Sequence, residues 1–372
     1  MKRNILLTVI CALTFTGIQA QTQRLPKDIT LKNGQTVRFI QDEIDSARIV
    51  LTPDNDTLGI KVYCKGKESR DFLRSQITSW TWYQNDSSYP TTPTYPDIPI
   101  TQNDNRNGST QLAQNNEGWR LEFPHFYTGT DKTYEVTHST KDYGITYSLE
   151  WDATKKANRW SCYEFYAGNM KNNVSRTDDF QPDPDIPKED QTSLSDYSKT
   201  GFSRGHLCPS GDRLCSTEQN RQTFYLSNMQ PQWQNHNGVL WNNLETYVRN
   251  FASNCDTLYV VKGATIDNPD QIYTADEINK INGSHTSKPY PYSVPKYFYM
   301  ALLAYDKSTD TYHSLAFWTE HTNKSDNNRN YIDYAIPVSV LEQRTGIDFF
   351  CNLPDKIEQG IEPVLDPDYW GL

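Results

Sequence analysis

Along residues 24–82 apolar and polar side chains alternate in short runs broken by turn signals, the pattern of a small β-rich module. Asn33-Gly34 stands between Ile29-Thr30-Leu31 and Thr36-Val37-Arg38-Phe39, and this dipeptide suits a two-residue hairpin turn because both positions accept positive φ. Residues 47–53 and 57–64 alternate again around Asp54-Asn55-Asp56, and a short helix is expected over 68–77. The pattern then stops. Residues 83–116 are rich in Asn, Ser, Thr, Pro, Gln and Asp and read as a disordered linker. From 117 to 372 runs of both periods return, as in one mixed domain. Strands are expected at 145–151, 160–166, 222–227, 257–263, 295–304 and 312–318, helices at 237–251 and 337–345, and a long polar loop over 172–200.

The helix at 237–251 has two adjoining stripes. Leu240, Leu244, Val248 and Phe251 suit a core, whereas Asn237, Trp241, Glu245 and Arg249 recur every four residues beside them. An ordinary amphipathic helix would give the same pattern. At the start of the chain, Lys2 and Arg3 precede an apolar run from Ile5 to Phe15, and Ile18-Gln19-Ala20 suits cleavage before Gln21. This reads as a signal peptide, and the run is short for a bilayer span of ~20 residues. An exported protein, secreted or periplasmic, is expected, with no membrane span and no protein partner evident.

Composition changes this picture in three ways. The chain carries 24 Tyr, 14 Phe and 9 Trp, so its core must lean on aromatic burial. Without residues 1–20 it has 34 basic against 46 acidic residues, a net charge of −12. That excludes a polycationic nucleic-acid binder but not a small positive cleft. Six cysteines, Cys64, Cys162, Cys208, Cys215, Cys255 and Cys351, follow the expected leader, and of their possible pairings Cys208–Cys215 ranks first on proximity.

Two neighbouring segments carry candidate chemistry: Gly201-Phe202-Ser203-Arg204-Gly205-His206-Leu207-Cys208-Pro209-Ser210-Gly211-Asp212-Arg213, and Leu226-Ser227-Asn228-Met229-Gln230-Pro231-Gln232 running on through Asn237 to Arg249. Phosphodiester hydrolysis needs a base to activate water and cationic groups to absorb charge on phosphorus and the leaving oxygen. A neutral histidine can be the base. A carboxamide oxygen suits Mg²⁺, which keeps several waters. Glu245 lies eight residues beyond Asn237, roughly 12 Å along a helix, so a water-mediated role suits it better than direct ligation. His206 with Cys208 and Cys215 lacks the fourth ligand a zinc site needs. Asp212 and Arg213 read as loop-fixing residues, Lys155 as a solvated charge or a basic residue near substrate, and His236 as a surface residue where the helix begins.

Taken together, Arg204-Gly205-His206, Pro209, Asp212, Ser227-Asn228, Pro231-Gln232, Asn237, Trp241, Leu244-Glu245 and Arg249 resemble the DNA/RNA non-specific endonucleases of the ββα-metal (His-Me finger) fold. Leu258 to Gly263 and Thr345-Gly346-Ile347-Asp348-Phe349-Phe350 resemble later segments of that family, over roughly 117–372. The resemblance implies an α+β nuclease domain with a central antiparallel-rich sheet. It implies catalytic roles for His206 (general base), Arg204, Glu245 and Arg249. Arg204 and Arg249 would bind substrate, Asn228 would position the site or bind substrate, and Asn237 would ligate Mg²⁺ or Mn²⁺. DNA and RNA would be the substrates, cut without strong sequence preference to 5′-phosphate ends. Ser203 stands where the family usually has Asp, which puts any orienting role of that carboxylate in doubt. The alternative is a surface nucleic-acid-binding protein on a catalytically weak nuclease scaffold.

Overall fold

A computed structural model describes residues 26–32, 36–38, 44–51, 57–64, 70–73, 77–82, 107, 117–282 and 288–372. The expected leader, the two turns at 33–34 and 54–56, and nearly all of the expected linker lie outside the described residues. The chain divides into two compact units, Met1–Ile98 and Pro99–Leu372.

The first unit holds two three-stranded antiparallel sheets. In one, β1 (Pro26–Leu31) lies between β2 (Thr36–Arg38) and β6 (Ile77–Trp82), with Ile29 opposite both Val37 and Trp80. In the other, β4 (Thr57–Cys64) lies between β3 (Ile44–Leu51) and β5 (Arg70–Leu73). The helix expected over 68–77 is therefore not formed. Residues 70–73 instead pair with Val62 to Gly59 of β4, because backbone pairing to an open strand edge outweighs local helical propensity.

The second unit is built on a seven-stranded sheet of order β15-β14-β13-β12-β9-β8-β7, antiparallel at every pairing. Its strands are β7 (Thr133–Thr140), β8 (Gly144–Asp152), β9 (Ala157–Tyr166), β12 (Thr257–Ala264), β13 (Tyr297–Asp306), β14 (Thr311–Glu320) and β15 (Ala335–Ile336). Both faces are covered, which explains why β13 reads as an almost unbroken apolar run. Phe298, Met300, Leu302 and Ala304 enter one core, and Tyr299, Ala301 and Leu303 enter the other. The first core receives Leu240, Trp241, Leu244, Val248 and Phe251 from the long helix, which continues as α3 (Asn242–Phe251). The second receives Val338 and Leu341 from α5 (Val338–Thr345), with Phe123, Phe126 and Phe349. Trp151, Trp160, Trp233, Trp241 and Trp370 are wholly buried, so the core does depend on aromatic side chains.

The expected strand at 222–227 is absent. Thr217–Gln222 is helical (α2) and Leu226–Asn228 is a 3-10 turn, and the next strand starts only at Met229. The apolar residues Phe224 and Leu226 are buried, but through a compact turn rather than a ladder. Two strands not expected from periodicity, β10 (Phe202–His206) and β11 (Met229–Trp233), pair antiparallel as a separate two-stranded sheet. With the helix that follows they make a ββα unit within an α+β domain, as the resemblance implied. His321 braces this unit to the large sheet: its Nε2 accepts from the Trp233 backbone N–H at 2.8 Å and its Nδ1 donates to the Pro295 carbonyl at 2.7 Å. Among the described residues, no helix is long and apolar enough to cross a membrane.

Candidate active site

His206 ends β10 directly opposite Met229, the first residue of β11. The chain between them returns through one clamp, Asn228. Its carboxamide oxygen accepts from the Cys208 N–H at 2.9 Å and the Ser161 hydroxyl at 3.0 Å, and its amide donates to the Cys208 and Thr223 carbonyls at 2.8 Å each. All four of its hydrogen-bonding positions are filled and the side chain is wholly buried. Of the two roles expected for Asn228, positioning the site or binding substrate, this bonding favours the first, since its carboxamide has no free position to offer a ligand. Gly205 is required by the same hairpin: a Cβ there would lie 1.9 Å from the Gln232 carboxamide oxygen.

The His206 ring lies between two phenylalanines, its centroid 5.0 Å from Phe224 and 5.8 Å from Phe180. Its Nε2 is buried without a hydrogen-bond partner. Burial, then the charges of Arg176, Arg204 and Lys262, push its pKa down to about 3. The ring is thus neutral near pH 7, with one nitrogen unpartnered. Arg204 lies over the Phe180 ring, its guanidinium carbon 3.9 Å from the ring centroid, and pairs with no carboxylate among the described residues. Arg176 lies 4.7 Å over Phe224, bonded to Asp178 at 2.6 Å and to the Ser210 hydroxyl at 2.9 Å. Sequence reasoning missed Arg176. The available signal was Arg176-Thr177-Asp178-Asp179-Phe180, a charged and aromatic cluster within an otherwise polar loop.

The helix after β11 opens with a π-turn over His236–Trp241, and such turns often mark functional sites. Asn237 lies in it, half-buried, and its carboxamide makes no hydrogen bond among the described residues. Trp241 leaves the predicted polar stripe for the core, where its indole N–H donates to the His206 carbonyl at 3.3 Å. Strand and helix are thereby tied one turn beyond Asn237. Arg249 commits its Nε to Asp212 at 2.7 Å and leaves both terminal nitrogens unbonded among the described residues. Gly211 makes room for it, since a Cβ there would lie 2.8 Å from a terminal nitrogen of Arg249. Burial pushes the Glu245 carboxyl up to about 7, against the pull of Lys262. Lys262 is a second residue missed from sequence. It occupies an inward position of the apolar strand β12, on the face that carries Leu258, Val260 and Ala264.

Other expectations resolve as follows. Ser203 donates to the Gln234 carboxamide oxygen at 2.6 Å. Asp212 also accepts from the Tyr163 hydroxyl at 2.7 Å, and the wholly buried Arg213 donates to the carbonyls of Thr146, Asp212 and Glu164. Lys155 is not a solvated charge but is held by Asp131, Asp152 and Asp267. His236 is not at the surface: it is 2% exposed and bonded to Gln232 and Thr319, because the helix begins two residues earlier and turns the ring inward. Cys208 and Cys215 are not joined. Cys208 sits in the first core and Cys215 bonds Gln219, and Cys162, Cys255 and Cys351 are free as well.

Two clusters of His, Asp or Glu could by spacing hold a metal, Asp131 with Asp152 and Asp267, and His138 with Asp183 and Asp185. The first already surrounds the Lys155 ammonium and the Arg159 guanidinium. In the second both ring nitrogens of His138 face carboxylates, at 2.9 and 3.4 Å. Neither contains a residue of the Arg204–Arg249 motif. For a hard divalent cation at the motif, the chain offers the unbonded Asn237 carboxamide oxygen, with Glu245 further along the same helix. Burial raises the Cys208 thiol to about 12, which leaves no thiolate to favour zinc. The donors present fit a hard, oxygen-preferring divalent cation.

The family model for DNA/RNA non-specific endonucleases matches residues 128–356, more than half of the chain. A protein named "Nuclease" from Nostoc sp. is 30% identical over 228 residues, covering 59% of this chain and 76% of its own. "Nuclease EXOG, mitochondrial" of Xenopus laevis is 28% identical over 226 residues, covering 60% of this chain and 61% of its own. A solved structure of the EndoG/EndoGI complex aligns with a TM-score of 0.48 at 22% identity, over 62% of this chain and 90% of that one. The hairpin, the buried histidine and the helix behind it lie within the matched region: this chain belongs to the DNA/RNA non-specific endonuclease family.

Proposed function

We propose that this protein is a metal-dependent endonuclease that hydrolyses phosphodiester bonds of DNA and RNA without strong sequence preference. The observation that carries the reading is the buried, neutral His206 with an unpartnered Nε2, placed among Arg176, Arg204 and Lys262. Such a ring can take a proton from water but carries no charge of its own at neutral pH. Arg204 and the terminal nitrogens of Arg249 are free to donate to phosphate oxygens, and an arriving phosphate offsets the cationic charge that depresses His206. Asn237 would hold Mg²⁺ or Mn²⁺, with Glu245 acting through water. The bound cation would supply Lewis-acid stabilisation of charge on phosphorus and on the leaving 3′-oxygen. Cleavage there leaves a 5′-phosphate and a 3′-hydroxyl. These groups address phosphate and metal rather than base edges, so sequence indifference follows. Export through residues 1–20, to the periplasm or medium, belongs to the same proposal and is checked by the N-terminal residue of the mature protein.

The test is incubation of the purified protein with plasmid and with RNA, in Mg²⁺ and in EDTA. Both substrates should be cut only with metal, and His206→Ala should lose turnover at an unchanged melting temperature. Intact substrate in Mg²⁺, or equal cutting in EDTA, would overturn the reading.

A further inference from the structure

The Lys262 ammonium is wholly buried and makes no hydrogen bond. It lies 3.7 Å from Glu245 and 3.9 Å from Asp212, with the rings of Tyr163 and Trp241 at 5.7 and 6.0 Å. Strand parity puts it at a core position, where Leu258, Val260 and Ala264 are apolar. An ammonium there is a poor way to stabilise a fold, because desolvation is costly and unsatisfied donors add to it. The charge pattern around it indicates a different use. Asp212 is already held by Arg249 Nε at 2.7 Å. For Glu245, Lys262 is the one cationic group within 4.0 Å among the described residues. The other groups that act on Glu245 are Asp212, which opposes its ionisation, and Arg249, which favours it more weakly than Lys262 does. The Lys262 charge also reaches His206 and Cys208.

We propose that Lys262 is a positioning residue of the nuclease site, a built-in buried cation that favours the carboxylate form of the largely buried Glu245, the form able to bind water around a metal. The inference rests on the role proposed above for Glu245. Lys262 is the cation nearest the Glu245 carboxyl, at 3.7 Å, and burial already pushes that carboxyl up, so removing the ammonium pushes it up further.

The test uses the full chain without metal, so that it does not depend on turnover. The carboxyl carbon of Glu245 is followed by ¹³C NMR against pH, assigned by its loss in Glu245→Gln. Lys262→Met should raise the midpoint by about 1 pH unit or more, the usual scale for losing an opposite charge at this range. Lys262→Arg should keep it near the wild-type value. In Mg²⁺ the acidic limb of kcat/KM should move up in parallel. A midpoint unmoved in Lys262→Met, with only the melting temperature lowered, would show a merely structural lysine and overturn the proposal. If Lys262→Met does not fold, the double variant with Glu245→Gln, which removes both charges, should regain the fold; a double variant no better folded than the single one overturns the proposal too. Should the wild type cut nothing, the nuclease reading fails while the titration still decides the role of Lys262.

Discussion

Replacing Asn228 by Ala separates a positioning role from substrate contact. The substitution removes four hydrogen bonds at once. Ser161 retains Asn158 as a partner, but the buried Cys208 N–H, Cys208 carbonyl and Thr223 carbonyl are left without the partner Asn228 provides. Each such orphaned group costs ~1–3 kcal/mol. Because the three share one site the costs are not additive, and a net loss of ~3–5 kcal/mol is expected. That is a large part of the ~5–15 kcal/mol holding a typical domain, and at ~2–4 °C per kcal/mol the melting temperature should fall by roughly 10 °C. Turnover should fall as well, since the clamp fixes the chain immediately after His206. Asn228→Asp adds a check on sign. Its carboxylate would face two carbonyls, so its folded-state pKa lies above the unfolded value, and the variant should regain stability as pH falls from 7 toward 4. Thermal unfolding by circular dichroism, with kcat and KM measured below the transition, reads all of this. If Asn228→Ala changes stability by less than ~0.5 kcal/mol and raises only KM, the side chain is a substrate ligand and the reasoning fails.

Two further outcomes follow from buried groups outside the site. Burial and the neighbouring Asp348 raise the Glu342 carboxyl to about 8. A raised acid favours the fold below its unfolded pKa and loses that contribution as pH rises through the folded value. Glu342→Gln, which keeps an acceptor for the Phe349 N–H, should therefore gain stability over wild type at pH 8, by up to ~4 kcal/mol at ~1.36 kcal/mol per pKa unit, and lose most of that gain near pH 4.5. Equal differences at both pH values in urea titrations would refute it. Because Cys162, Cys208, Cys215, Cys255 and Cys351 are free, thiol titration of the unreduced, denatured chain should count at least five thiols, and dithiothreitol should leave the melting temperature unchanged. A lower count, or a drop in melting temperature on reduction, would restore the disulfide expectation.

The parts of this protein legible in its sequence are those set by local or periodic rules. Strands β8, β9, β12, β13 and β14 and the helices at 237–251 and 338–345 fall where alternation or helical spacing places them. That is because side-chain direction follows backbone period whatever lies opposite. The Arg204-Gly205-His206 and Asn237–Arg249 segments were legible as a candidate site for a different reason: taken together they resemble a known nuclease family, and their residue types suit phosphoryl chemistry. Tertiary pairing decided the rest. Residues 70–73 became a strand through an available edge, and Phe224 and Leu226 were buried by a turn rather than a ladder. The sequence left Asn228 either a positioning residue or a substrate ligand, and only the loop folded around it showed that its four bonds were spent. Arg176 entered the site because a long polar loop lays it on Phe224, and Lys262 because packing of the helix against β12 brings Glu245 to 3.7 Å from its ammonium. Sequence alone thus determined which chemical groups were present and the backbone period of most elements that carry them, though not every face, since Trp241 and His236 turned inward. Which of those groups meet, and so which are free to act, depended on contacts between residues far apart in the chain, whose energies no local pattern encodes.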